Sequence, residues 1–451
     1  MLVRINPTYP FKEIDHLPQK EHHVVIVGGG FAGLNAARTL KHKHVRITLI
    51  DQKNHHLFQP LLYQVATGGL SPADIASPIR GVLKTQKHIR VLLGHVIDIL
   101  PRQKKVILKD FDIDYDTLIV ATGVQHHYFG NETWETFAPG LKSVEEATFI
   151  RSKILKAFED AEREQSIAQQ QQFLNFVIVG GGTTGVEMAG AIGELAKQTL
   201  KHNFRSFDVA QTRIELVEAL PRILPTFDEE LSKYAAKKLS QLGVHIRTDT
   251  RVTDVTENGI TVEAHDETEF IAAKTIFWAA GTRASSLGYV LQQRLEAETD
   301  KSGRIVVNEY CQVPQKTDIF VVGDLALSKD KYGKPLPGVA PVALQQGKYV
   351  ATYIEQKLKG EDSKPFRYRD KGDLAVIGRG FAVSRIWKFK DTGFFAWLLW
   401  LFVHLIYLVG FQNRLMVLIQ WAWNYITKNK GARLITQYPD RFQSLSTDSE
   451  S

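Results

Sequence analysis

Apolar and polar positions follow different periods along this chain, and the changes of period mark its parts. Residues 22–40, HHVVIVGGGFAGLNAARTL, run from a β-branched apolar stretch into three glycines. A helical pattern follows, with Leu34, Ala37 and Leu40 apolar, and VRITLID over 45–51 reads as the next strand. The same order returns over 173–196, FLNFVIVGGGTTGVEMAGAIGELA, with RIELVE over 213–218 as its second strand. Such strand–loop–helix–strand units open dinucleotide-binding folds, and two copies roughly 150 residues apart predict two domains rather than a short-period solenoid. Residues 151–172 are polar and charged and end in a glutamine run, which predicts a surface helix with a linker. Short strands are expected over 91–123 and 244–282, a helix in the second half of 337–360, and a short strand region over 374–386.

Near the end the pattern changes again. Residues 394–411, FFAWLLWLFVHLIYLVGF, hold a single histidine and no charge. As one helix they reach about 27 Å, a borderline length for crossing a bilayer. Arg385, Lys388 and Lys390 precede the stretch, and Arg414, Lys428, Lys430 and Arg433 follow it. Cations on both sides argue against a simple span. In 414–428, RLMVLIQWAWNYITK, a polar stripe recurs at Gln420, Asn424 and Lys428, as in a helix lying in a membrane interface, with Trp421, Trp423 and Tyr425 suited to headgroup depth. The expectation is a monotopic anchor rather than a span, with a homodimer interface as the other use of this surface.

Composition narrows the classes. A length of 451 residues predicts two to three domains, and 44% hydrophobic with 23% charged residues excludes disordered and fibrous chains. The net charge of +7 suits anionic lipid as well as nucleic acid, but no long basic run carries interleaved aromatics, so no nucleic acid is expected. The single cysteine, Cys311, excludes an intrachain disulfide, a CxxC pair and a cysteine zinc site, and fits a reducing compartment. Pairs such as His22-His23, His55-His56 and His126-His127 lack metalloprotease spacing, read as solvated loop residues, and no metal is expected. The first twenty residues lack the apolar core of a secretory signal and read as an extension.

Each glycine loop has a physical task. The first glycine allows the tight turn, the second lets backbone approach a pyrophosphate, and the third lets helix and strand pack closely, with the phosphate at the helix N-terminus. The sets are Gly28, Gly30, Gly33 and Gly180, Gly182, Gly185. Asp51, 23 residues after Gly28, is placed to bind a ribose hydroxyl; its counterpart Glu218 stands 38 residues after Gly180. Residues 198–211 read as an insertion that accounts for the longer spacing. A carboxylate at Glu218 repels a 2′-phosphate and so favours NADH over NADPH; a solvated strand-end acid is the alternative.

With these motifs the chain resembles the two-dinucleotide-binding-domain flavoproteins. ATG (Ala121, Thr122, Gly123) and AAGT over 279–282, with Gly281, look like crossover motifs closing each domain, and TDIFVVGD ends in Asp324, which matches the acid on the flavin ribityl chain. Within that superfamily the chain is most similar to the type II NADH dehydrogenases. That resemblance rests on NHHLFQPLLYQVATGGLSPADIASPIR over 54–80, PGVAPVALQQG over 337–347 and the aromatic tail, and covers residues 22–436. It implies an α/β fold of two Rossmann-like domains, the second inserted in the first, with C-terminal amphipathic anchoring helices. The implied bounds are 1–21 for the extension, 22–140 and 291–375 for FAD, 141–290 for NADH and 376–451 for anchoring.

The resemblance further implies non-covalent FAD at Gly28, Gly30, Phe31, Ala32, Gly33, Asp51, Ala121, Thr122, Gly123, Asp324 and Ala343, the last on a helix aimed at the flavin ring. NADH falls to Gly180, Gly182, Thr184, Gly185, Glu218 and Gly281. A membrane quinone is the acceptor, met by Gln345 or Gln346 and by Tyr63 and Gln64. Glu187, expected in the first turn of the second glycine helix, orients the nicotinamide or relays protons; a carboxylate favouring its own helix is the alternative. The family motif often carries glutamine where this chain has Pro341. The implied location is peripheral, on the cytoplasmic face of a bacterial inner membrane, without proton pumping. Sulfide:quinone, thioredoxin and lipoamide reductases need reactive cysteines, which one cysteine excludes. A membrane-docked flavoprotein that senses NADH without quinone turnover is the rival of another class.

Overall fold

The computed structural model describes residues 21–41 and 44–436. The N-terminal extension, apart from Glu21, and the last fifteen residues of the C-terminal region lie outside the described residues. The chain forms two compact units: Met1–Asn54, Leu83–Gly123 and Ser286–Arg367 make one, and His55–Val82, Val124–Ser285 and Tyr368–Ser451 make the other.

The first unit is built on a parallel sheet of five strands in the order Ile319–Val321, Thr117–Val120, His22–Val27, Val45–Asp51, Ile89–Leu93. Its central strand is buried on both faces at Val24, Val25 and Ile26, which is why the sequence there is continuously apolar rather than alternating. The helix Phe31–Thr39 packs on the helix Ala340–Leu358 at backbone distance: a Cβ on Gly347 would meet the carbonyl of Ala32 at 2.1 Å. Asn35 ties the pair by donating to the Leu344 carbonyl at 2.6 Å.

The second unit repeats the plan with a parallel sheet ordered Val244–Arg247, Arg213–Val217, Asn175–Val179, Thr275–Trp278. Its glycine helix, Thr183–Glu194, is pressed against the strand Asp373–Gly378, where a Cβ on Gly190 would meet the Ile377 carbonyl at 1.9 Å. Two further strands, Phe381–Ile386 and Phe389–Gly393, complete an antiparallel sheet there. Residues 198–211 leave the sheet as the loop between the glycine helix and the strand Arg213–Val217. Phe204 stacks on Phe158 and on Phe207 within it.

Two stretches differ from the sequence pattern. Residues 151–172 are not a surface helix with a linker. A capping box at Ser143 and Glu146 starts the helix Val144–Arg163, and Ala147, Ile150, Ile154, Phe158 and Ala161 bury one face of it. The high charge of its outer face hides that spacing. A second helix, Ile167–Leu174, follows. Residues 394–411 are not one helix either. Phe394–Tyr407 stops at Leu408, and after Gly410, at φ +91°, the helix Phe411–Thr427 begins. The Arg414 guanidinium donates to the freed carbonyls of Leu408 and Ile406 at 2.8 and 2.7 Å, which stabilises the break. Ring pairs Trp397–Tyr425 and Trp400–Trp421 show that the two helices run antiparallel. Fourteen residues reach about 21 Å, and among the described residues no helix is long and apolar enough to cross a membrane.

The second of these helices wears its polarity reversed. Asn413 donates to the carbonyls of Ala73 and Asp74 at 3.2 and 3.0 Å, Trp421 Nε1 donates to Gln64 Oε1 at 2.8 Å, and Asn424 donates to the Gly69 carbonyl at 2.9 Å. Leu415, Met416, Leu418, Ile419, Trp423 and Ile426 are exposed instead. Of the polar stripe at Gln420, Asn424 and Lys428, Asn424 turns towards the protein.

Because the Gly190 contact leaves no room, Gly190→Ala is expected to lower stability by about 1–3 kcal/mol. Thermal unfolding at neutral pH checks this, and a melting temperature equal to wild type would contradict the close approach.

Candidate functional site

In the first loop the chain's own packing demands two of the three glycines. Gly28 lies at φ +104°, and a Cβ there would meet the Ala121 carbonyl oxygen at 2.4 Å. A Cβ on Gly33 would meet the Gly28 carbonyl at 1.8 Å, so helix, loop and strand meet through bare backbone. Gly30 differs: nothing lies within 4 Å of a Cβ built on it, and it is the N-cap of a helix that no side chain caps. A loop closed at its ends and open at its middle residue fits a pyrophosphate drawn to a helix start. Asp51 Oδ2 accepts from the Gly29 amide at 2.5 Å and Oδ1 from the Lys53 amide at 2.7 Å, which fixes the carboxylate beside the loop. Thr122 and Gly123, at φ +65°, follow Ala121 at the end of the neighbouring strand.

Asp324 sits in the turn Gly323–Leu325, and a Cβ on Gly338 would touch its carboxylate at 3.6 Å. Gly323 faces the methyl groups of Ala32 and Ala343, so the starts of both helices converge on that turn with Phe31 at the head of the first. Gln346 is fully buried and already committed: its Oε1 accepts from the Gly323 amide and its Nε2 donates to Ser328 Oγ, each at 2.7 Å. Gln345 is half-buried on the same helix. Pro341 falls at the second helical position, where no amide donor is required, so the exchange of glutamine for proline leaves the helix start intact.

The second loop reproduces the first. Gly180, at φ +110°, presses on Ala279, a Cβ on Gly185 would meet the Gly180 carbonyl at 1.9 Å, and Gly182 faces open space. Glu218 Oε2 accepts from the Gly181 amide at 2.6 Å and Oε1 from the Leu220 amide at 2.9 Å, the same pair of contacts that Asp51 makes. The longer spacing is therefore loop, not displacement. Thr184 is exposed in the first turn, and Gly281, at φ +70°, packs against the Phe129 ring.

Glu187 lies in the second turn of its helix rather than the first, and is only 7% exposed. The helix-start field fades within one turn, so it does not account for a carboxyl there. Burial raises its pKa to about 8, against the backbone amide of Val376 at 3.4 Å and the indole of Trp400, which lower it in part. At neutral pH the group is mostly a neutral acid and a proton donor. The Tyr63 hydroxyl accepts from Gln64 Nε2 at 2.9 Å, and burial followed by the Glu187 charge keeps it protonated.

Further side chains of this cluster went unread in the sequence. Trp400 is buried, with His404 stacked on it at 4.2 Å between ring centroids. Burial lowers the His404 pKa to about 4, and its Nδ1 donates to the Trp400 carbonyl at 2.7 Å. Lys430 Nζ donates to the Ala191 carbonyl at 3.0 Å, and burial lowers its pKa to about 8 while Glu194 opposes the shift. The single His404 in an apolar run was the one local signal. Nothing local distinguishes Trp400 from the other tryptophans.

Comparison with known proteins bears on the family and the fold. The pyridine nucleotide-disulphide oxidoreductase family matches residues 22–347. The chain is 43% identical over 435 residues to the type II NADH:quinone oxidoreductase Ndh of Mycobacterium tuberculosis, covering 95% of this chain and 93% of that protein. It is 30% identical over 382 residues to the type II NADH:quinone oxidoreductase of Staphylococcus haemolyticus, covering 84% of this chain and 92% of that one. The structure of NDH2 from Plasmodium falciparum in complex with NADH shares the fold, with a TM-score of 0.83 at 20% identity, over 92% of this chain and 100% of that one.

The Glu187 proton has a consequence for stability. The folded protein holds it to about pH 8, whereas the unfolded chain releases it near the ordinary 4.5. Stability therefore falls as pH rises from 4.5 through 8, in total on the order of a few kcal/mol. Glu187→Gln removes that slope, so the variant should gain on wild type as pH is raised from 5 to 9 in thermal unfolding. Parallel curves would assign Glu187 an ordinary proton affinity.

Proposed function

The chain belongs to the pyridine nucleotide-disulphide oxidoreductase family and within it to the type II NADH:quinone oxidoreductases, and from this we propose that it oxidises NADH and passes both electrons through non-covalent FAD to a lipid-soluble quinone, at a membrane surface and without pumping protons. The observation that carries the reading lies within the second unit. There the helix that starts at the second glycine loop buries Glu187 against Val376 and Trp400, so the nucleotide loop and the aromatic C-terminal helices share one wall.

FAD, when bound, accepts a hydride and gives up electrons to the second substrate. Gly28, Gly30, Gly33 and Asp51 hold its pyrophosphate and ribose, with Ala121, Thr122, Gly123 and Asp324 beyond them and Phe31, Ala32 and Ala343 at the two helix starts. Gly180, Gly182, Thr184, Gly185 and Gly281 hold NADH, and the Glu218 carboxylate accepts its ribose hydroxyls and repels a 2′-phosphate. Glu187 donates a proton as the quinone is reduced. Gln345, Tyr63 and Gln64 contact the quinone, and Gln346 braces Gly323. The functional division stays 22–140 and 291–375 for FAD, 141–290 for NADH and 376–451 for anchoring.

The exposed apolar rows support attachment to lipid. Phe395, Leu398, Phe402 and Ile406 line one helix, and Leu415, Leu418, Ile419, Trp423 and Ile426 line its neighbour. A patch that large on a water-soluble surface marks an interaction site. We assign it to a bilayer, on the cytoplasmic face of a bacterial inner membrane, with a homodimer covering part of it as the alternative partner.

Anaerobic NADH should bleach the bound flavin, and a short-chain quinone should restore the colour within seconds; a flavin that stays bleached supports the NADH-sensing reading instead. The double variant Ile419→Glu, Trp423→Glu should leave the pellet in sedimentation with anionic vesicles while still turning over short-chain quinone. Continued co-sedimentation would overturn the anchoring surface.

A further inference from the structure

Residues 128–131 form a tight turn in which the Asn131 amide donates to the Tyr128 carbonyl at 3.0 Å. Both central residues hold positive φ, Phe129 at +53° and Gly130 at +91°. Such turns favour glycine, asparagine or aspartate at both places, and a bulky aromatic at positive φ is strained. The ring gains little burial in return, because Phe129 is 58% exposed. Its surroundings are nevertheless firmly built. The Trp278 indole donates to the His127 carbonyl at 3.0 Å, the Tyr128 hydroxyl donates to the Ala138 carbonyl at 2.9 Å, and Arg283 grips Glu132 through two bonds of 2.7 and 3.1 Å. The His127 and Trp278 rings stand 4.5 and 6.3 Å from that of Phe129, centroid to centroid. A strained aromatic, braced by its neighbours and left largely open, calls for a partner on its free surface.

Sheet order in the second unit identifies what lies beside the ring. Strand Asn175–Val179 runs between Arg213–Val217 and Thr275–Trp278, all parallel, so their C-terminal ends share one edge. The glycine loop leaves the middle strand, Glu218 follows its neighbour on one side, and Ala279 follows its neighbour on the other. Gly180 presses on Ala279, and a Cβ on Gly281 would meet Phe129 Cζ at 2.7 Å. Residues 279–281 therefore touch the glycine loop at one end and Phe129 at the other. A dinucleotide with its pyrophosphate on that loop and its adenine ribose on Glu218 must lay its other half across the end of Thr275–Trp278, towards Phe129.

We propose that Phe129 is a contact residue for NADH, its ring packing against the nicotinamide riboside half of the substrate. The inference rests on the NADH-oxidising reading above and adds to it the group that steadies the reacting end. The loop and Glu218 hold the adenine half, but the hydride leaves from the other half, whose distance and orientation set the rate. An aromatic face there covers the ribose and the edge of the nicotinamide without competing for their hydrogen bonds, and it displaces water from them. Strain at Phe129 then has a use: the left-handed turn sets the ring over Gly281, where an asparagine would relax the backbone and leave that half uncovered.

Two replacements test this: Phe129→Asn, which gives the turn a residue it prefers, and Phe129→Tyr, which keeps the ring. Without oxygen, the second-order rate at which NADH bleaches the flavin should fall about 5- to 20-fold in the asparagine variant and stay within about twofold of wild type in the tyrosine variant. AMP, which lacks the nicotinamide half, should bind both variants within about twofold of wild type in calorimetry. If NADH does not bleach wild type, the functional reading fails. If it does, and the asparagine variant keeps pace with wild type, only the role of Phe129 fails. A loss of AMP binding equal to the loss in rate assigns Phe129 to the fold, and a tyrosine variant as slow as the asparagine one removes the ring from the account; either result overturns the proposal. Should Phe129→Asn not fold, Phe129→Leu carries the same comparison.

Discussion

Contact of backbone on backbone at glycine is the constraint from which the site geometry follows. In each unit a helix start, its loop and a returning strand meet where no Cβ fits: Gly33 on Gly28 and Gly28 on Ala121 in one, Gly185 on Gly180 and Gly180 on Ala279 in the other. That closure leaves the middle glycine facing open space and sets the strand-end acid against the loop amides. The same device recurs at longer range, where Gly347 meets Ala32 and Gly190 meets Ile377. Loops closed this tightly are preorganised, so binding a nucleotide costs little ordering of the chain.

Three carboxylates divide the work according to surroundings. Asp51 and Glu218 each accept two backbone amides, which fixes them as acceptors beside the glycine loops. Glu187 has burial as its main influence and holds its proton to about pH 8. Two acceptors beside the glycine loops and one proton donor in the aromatic cluster are what the proposed reaction asks of its carboxyl groups.

Polarity in the helix Phe411–Thr427 is inverted because two surfaces compete for each residue. Asn413, Trp421 and Asn424 satisfy carbonyl and amide groups of residues 64–74, which would otherwise be covered without partners. The apolar residues between them are left to face outward. Periodicity records that two faces exist but carries no sign saying which one meets the protein.

Local chemistry determined a large part of this molecule. The glycine spacings, the β-branched strands before them and the strand-end acids Asp51 and Glu218 were legible, because each obeys rules acting over a few residues of backbone, whereas Asp324 was found through the resemblance of TDIFVVGD. The helix Val144–Arg163 was hidden by its charged outer face, and the break at Leu408–Gly410 by an unbroken apolar run. Only the tertiary structure decided what depends on distant partners. Val376 reaches Glu187 from 189 residues away and Trp421 reaches Gln64 from 357. The commitment of Gln346 to Gly323 and Ser328 and the proton on Glu187 follow from such meetings. Burial and hydrogen-bond satisfaction belong to the packed whole, and no stretch of sequence carries them alone.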